Sequence, residues 1–170
     1  MLRPIFILVL ITLIPALELR ASIPVGILGG GWSWLSMGEA SLPVAVVVAV
    51  CVAANIVLGW LVFLLMVPMI HLLERFAWFR KWIEPLLQRA QRKLAPYVEK
   101  YGGIGVAVFI GVPLPGSGVY TGAVGAYLLG MKKRSFAWAN VLGVVIAGAA
   151  VTAVTLLASN VPWLSWVIKH

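Results

Sequence analysis

Aspartate is absent from the 170 residues, cysteine occurs once and histidine twice, and charged residues make up only 11% of the chain. Each scarcity removes a class of chemistry. Without Asp there is no P-loop partner acid, and the sequence contains no HExxH, no P-loop and no Ser-His-acid set. A lone Cys51, in the middle of an apolar run, allows neither an intrachain disulfide framework nor a zinc cluster, and it reads as packing. His71 and His170 lie far from it in sequence. No metal site, no cofactor and no enzyme activity are expected. Acid is scarcer than base: five Glu face thirteen Lys and Arg, for a net charge of +8. A nucleic-acid surface would account for that sign, but the basic residues flank apolar runs, so they read as topology signals and contacts to anionic membrane lipid, not nucleic acid.

What is abundant is hydrocarbon. Hydrophobic residues form 62% of the chain and the mean hydropathy is +1.05, more than a water-soluble domain of this length could cover. The expectation is an all-α integral membrane protein of the cell membrane. Two uninterrupted runs exceed the ~20 residues that a membrane helix needs. One lies between Pro43 and Pro68, the other from Phe136 to about Ala158. The N-terminal MLRPIFILVLITLIPALELRA resembles a signal peptide in having a basic residue before an apolar core. Glu18 and Arg20 stand where small cleavage-site residues belong, so the segment is expected to be retained.

Between the spans, residues 69–101 carry apolar side chains at spacings of three and four, with seven Lys or Arg against three Glu elsewhere. This is the pattern of an amphipathic interfacial helical segment, broken at Pro85 and Pro96 and placed in the cytoplasm by its charge. His71 at its edge needs no special role. Two apolar stretches remain, 4–31 and 103–131, each too short to cross twice. The second is bounded by basic residues on both sides, ending at Lys100 and resuming at Lys132, Lys133 and Arg134. Both of its ends therefore read as cytoplasmic, and the stretch reads as a re-entrant helical hairpin. It follows that the Trp-rich loop 31–42, with solvated Glu39, and the C-terminus are external. Residues 4–31 then cross once or form a second hairpin, and Glu18 with Arg20 near the middle favours the hairpin. The expected architecture is two transmembrane helices plus two re-entrant hairpins in an inverted repeat, halves 4–68 and 103–158 joined by 69–101 within one membrane domain.

The candidate site residues lie at the hairpin tips. In GVPLPGSGVYTGAVGA (111–126), Pro113 and Pro115 end one half-helix, Gly116, Gly118 and Gly122 permit the reversal, and Ser117 is the expected N-cap of the next. That half-helix would aim free N–H groups and a positive dipole end into the membrane, with Tyr120 and Thr121 adding hydroxyls. In PALELRASIPVG, with Pro24 shaping the chain, Glu18 and Arg20 either neutralise each other or serve a proton and an anionic group. Asn55 and Asn140 read as interhelical hydrogen-bonding amides or substrate contacts.

ELRASIPVGI (18–27), VPLPGSGVYTGAVGAYLLGM (112–131) and FAWANVLGVVIAG (136–148) together resemble the small multi-drug export proteins, a membrane family distantly similar to the DedA-like proteins. The resemblance implies transport across the membrane and carries over onto Glu18, Arg20, Pro24, Pro113, Pro115, Gly116, Gly118 and Gly122. DedA-like proteins, with paired re-entrant hairpins, are implicated in flipping polyprenyl-phosphate or phospholipid; this chain lacks their further acidic and basic membrane residues. Three readings result. The first is a small transporter of an amphipathic molecule, coupled to protons through Glu18 and assembled as a homodimer or larger. The second is a flippase for an anionic lipid such as a polyprenyl phosphate. The third is a membrane scaffold that transports nothing.

Overall fold

The computed structural model describes residues 2–14, 17–28, 42–73, 75–77, 81, 85, 102–112 and 117–159. Among them lie α1 (Leu2–Leu13), α2 (Glu18–Leu28), α3 (Val44–Leu73), α4 (Gly102–Gly111), α5 (Val119–Leu128) and α6 (Lys133–Ser159). The fold is all-α. The Glu39 loop expected to be external, most of the basic segment, Pro113, Pro115, Gly116 and the C-terminal tail with His170 lie outside the described residues.

α3 and α6 are the two runs long and apolar enough to cross a membrane. In the most apolar window of each, only 33% of the residues are buried by protein. A core helix of a soluble protein is buried all round, whereas these leave Val57, Leu61, Trp138 and Leu157 outward, the surface that hydrocarbon must cover. The chain is a multi-pass membrane protein. The first span was expected to stop at Pro68, but α3 continues through that proline to Leu73. A proline deletes one N–H, yet in a span every other backbone group still has no partner better than the helix itself.

Glycine contacts fix how the helices run. Gly26 of α2 sits against Leu8 of α1 and Val47 of α3. One turn away, the Thr12 and Ser22 side chains both reach Cys51. Advancing along α1 thus means retreating along α2 and advancing along α3, so α1 and α2 are antiparallel and α1 accompanies α3. In the second half Gly122 of α5 packs on Ile110 of α4, and Gly143 and Gly111 bring α4 against α6 in parallel. The long helices cross in opposite directions: Gly59 meets Asn140, and Gly148 meets Val52. Between the halves α2 packs on α6 and α3 on α5, so exchanging α1–α3 with α4–α6 maps this set of contacts onto itself.

Small residues at these crossings are what lipid favours, since apolar surface gains little by leaving hydrocarbon and close backbone packing decides association. At one end of the α3–α6 crossing the packing is aromatic instead. Phe63 stacks on Phe136 with centroids 4.3 Å apart and meets Tyr127 edge-on at 5.9 Å, locking α3, α5 and α6 together. α5 ends nearby in a Schellman motif, with Gly130 at φ 72°, Met131 N–H bonded to Ala126 O and Gly130 N–H to Tyr127 O.

Candidate functional site

The C-terminal end of α1, the start of α2 and the start of α5 meet in the interior. α5 begins at Val119 with Gly118, not Ser117, as its N-cap, and no side chain of its own segment satisfies its first N–H groups. That correction to the expected cap has a physical reason: Gly118 adopts φ 141°, a conformation L residues rarely take, which turns the serine away. The missing anion comes from about a hundred residues earlier. The Glu18 carboxylate accepts from Val119 N–H at 3.1 Å through Oε2, and from Tyr120 N–H at a longer 3.4 Å through Oε1. It is buried, at 7% exposure. A carboxylate against a helix N-terminus is favoured by both the free donors and the dipole.

Gly118 is required a second time, by space. A Cβ there would lie 2.7 Å from Glu18 Oε2. Glu18 itself has φ 42°, left-handed and uncommon for a residue with a side chain. The two unusual backbone conformations thus face each other across one contact.

Arg20, two residues on, serves the other side of the same reversal. Its Nη2 donates to Ser117 O at 2.6 Å and to Ser117 Oγ at 2.8 Å. Ser117 Oγ in turn donates to Val112 O at 2.6 Å, at the end of α4. Both arginine bonds leave from one nitrogen, and among the described residues the guanidinium makes no further bond. Glu18 and Arg20 therefore both reach across to the second half. The exchange also runs backwards: the Tyr120 hydroxyl donates to Leu13 O, one of the carbonyls left free at the end of α1. That bond, and the hydroxyls of Thr12 and Ser22 folded back onto Leu8 O and Glu18 O, are features sequence reasoning missed. A hydroxyl in an apolar helix is the signal that could have flagged them.

The other expected residues are dispersed. Thr121 is exposed on α5, its Oγ1 3.4 Å from Gly118 O. Pro24 lies inside α2 and Gly122 inside α5, buried against Ile110 of α4. Asn140 makes an interhelical bond, Nδ2 to Ile56 O at 2.9 Å. Asn55, equally buried, sits one α3 turn before Gly59. Outside this centre, an apolar groove of about 400 Å³ lies between α1 and α3, lined by Val9, Leu13, Val50, Val57 and Leu61 among others. Leu13, whose carbonyl Tyr120 holds, is among its lining residues. Among the described residues no three His, Cys, Asp or Glu side chains gather to hold a metal ion.

Chemically the centre is an anion-holding cradle of two N–H groups and an adjacent guanidinium, filled by the protein's own carboxylate. A sequence model of the family described as "Putative small multi-drug export protein" matches residues 18–150, a range that starts at Glu18 and includes both tips, all of α3 and the first two thirds of α6. No curated protein and no solved structure matches the chain significantly.

Proposed function

The chain belongs to the small multi-drug export protein family, a family of transport and not of catalysis, and from that premise we propose that it moves an amphipathic small molecule across the membrane. In this reading α1–α2 and α4–α5 are re-entrant hairpins entering from opposite sides, the halves form an inverted repeat, and residues 132–134 face the cytoplasm. The antiparallel crossing of α3 and α6 and the exchange-symmetric contacts support it, as does the length of the short helices, since 12 and 11 residues extend about 18 Å or less. Access alternates as one half rocks against the other. A homodimer or larger assembly helps to seal a path that six helices, four of them short, enclose poorly.

One observation carries the site: the Glu18 carboxylate sits on the N-terminus of α5 beside Arg20. The polar part of the substrate takes that place when Glu18 is protonated and withdraws, and Arg20 with its unspent nitrogens meets any negative charge. The apolar part lies in the groove between α1 and α3 that Leu13 helps to line. Proton coupling follows, because the carboxylate must give up its charge before the cradle opens.

Vesicles containing the purified protein test this. Wild-type flux of an amphipathic dye should depend on an imposed pH gradient, and Glu18→Gln should remove that dependence while Arg20→Lys lowers flux. Indistinguishable flux from Glu18→Gln and wild type would sink the coupling role. A second reading, flipping of an anionic lipid, is favoured by the same free edge of Arg20; fluorescent lipid phosphate scrambled in preference to the dye would select it.

A further inference from the structure

Asn55 and Asn140, at 1% and 0% exposure, each keep an amide oxygen with no hydrogen-bond donor among the described residues. Buried polar atoms in folded proteins are nearly always satisfied, so each such oxygen calls for a partner. Turning the Asn140 amide over does not supply one, because Nδ2 already donates to Ile56 O and the exchange would oppose two acceptors.

The two amides share one place. Asn140 lies across Gly59, where a Cβ would come within 2.4 Å of its Oδ1, and Asn55 precedes Gly59 by one turn on the same face of α3. The next turn back on that face is Cys51, flanked by Thr12 and Ser22. Those hydroxyls are committed to Leu8 O and Glu18 O, and the buried carboxylate is an acceptor. Neither amide oxygen meets a donor among the described residues.

We propose that Asn55 and Asn140 hold an internal water between α3 and α6. Water supplies two donors without charge. An alkali ion needs more oxygen ligands than two amides offer to replace its hydration shell, and among the described residues no acid side chains gather to hold one. A water also fits what the crossing does: it can change partners as two helices slide, where a direct amide–amide bond would fix their register. This inference concerns the α3–α6 crossing and stands apart from the transport reading, since none of its residues belongs to the cradle.

The test is thermal unfolding in detergent of the wild type, Asn55→Leu, Asn140→Leu and the double variant, in sodium chloride and in choline chloride of equal ionic strength. Asn55→Leu should lower the melting temperature by about 5 °C, the double variant should lose less than the sum of the singles, and sodium should make no difference. A higher melting temperature for Asn55→Leu would mean that the oxygen had no donor to lose, and overturns the proposal. Additive losses overturn it too, and so does a sodium-dependent rise in the wild type that Asn55→Leu abolishes, which would make the ligand a cation. Should the leucine variants not fold, radiolytic labelling of the wild type in oxygen-18 water decides. Prompt label within residues 51–59 supports the water, and none there refutes it.

Discussion

The two tips that meet in the interior are built from opposite materials. The first, at Glu18 and Arg20, contributes charged side chains; the second, from Ser117 to Tyr120, contributes mainly backbone, two N–H groups and a carbonyl. Each lacks what the other has. A charged tip alone in a membrane would be costly to bury, and an open helix N-terminus alone would leave donors unpaired. Together they satisfy each other without a ligand, and this explains how strongly polar groups can sit in a protein with so few of them. Under the proposed transport reading, a transported molecule would compete with an internal contact rather than enter open space.

Removing the side chains should break this complementarity most severely. Glu18→Ala leaves the Val119 and Tyr120 donors buried and unmet, and should cost about 3 kcal/mol, read as a lower unfolding midpoint in detergent. A shift within error of zero would mean that the carboxylate is not the cap. Next in size is the backbone side. Gly118→Ala meets both the φ 141° conformation and the carboxylate, and about 2 kcal/mol of destabilisation is expected; combined with Glu18→Ala its cost should shrink, because the steric part disappears with the carboxylate. Fully additive losses would contradict a shared contact. The smallest effect belongs to the one bond in which the second tip lends a side chain to the first. Tyr120→Phe removes the donor to Leu13 O at a partly exposed position and should cost about 0.5–1 kcal/mol. Hydrogen exchange at residues 12–14 should quicken in that variant while the start of α5 stays protected.

Sequence made the lipid-facing part of this protein readable and the internal part only half so. α3 and α6 follow from hydropathy because lipid imposes the same requirement on every residue of a span, and α3 runs on through Pro68 because a proline there removes only one N–H. Glu18, Arg20, Ser117 and Tyr120 stood out as residues because charge, Pro and Gly are conspicuous in apolar surroundings. Their partners did not. Glu18 and Val119 are joined across a hundred residues, and the expectation that Ser117 caps α5 assumed that the nearest hydroxyl does the work. Pro24 stands inside α2, since proline can mark a turn or simply ride inside a helix whose neighbours hold it. Asn140 was readable as an interhelical bond, but nothing local announced that Gly59 was the surface it lies on.

Cys51 has a use beyond packing. Its thiol is fully buried on α3 beside Thr12 and Ser22, one residue from each of the first two helices, so any reagent that alkylates it has caught that pair parted from the long helix. Since no other cysteine competes, the unaltered protein carries its own clock for that separation. The rate at which Cys51 becomes reactive, with and without a candidate substrate, measures how often the first half opens.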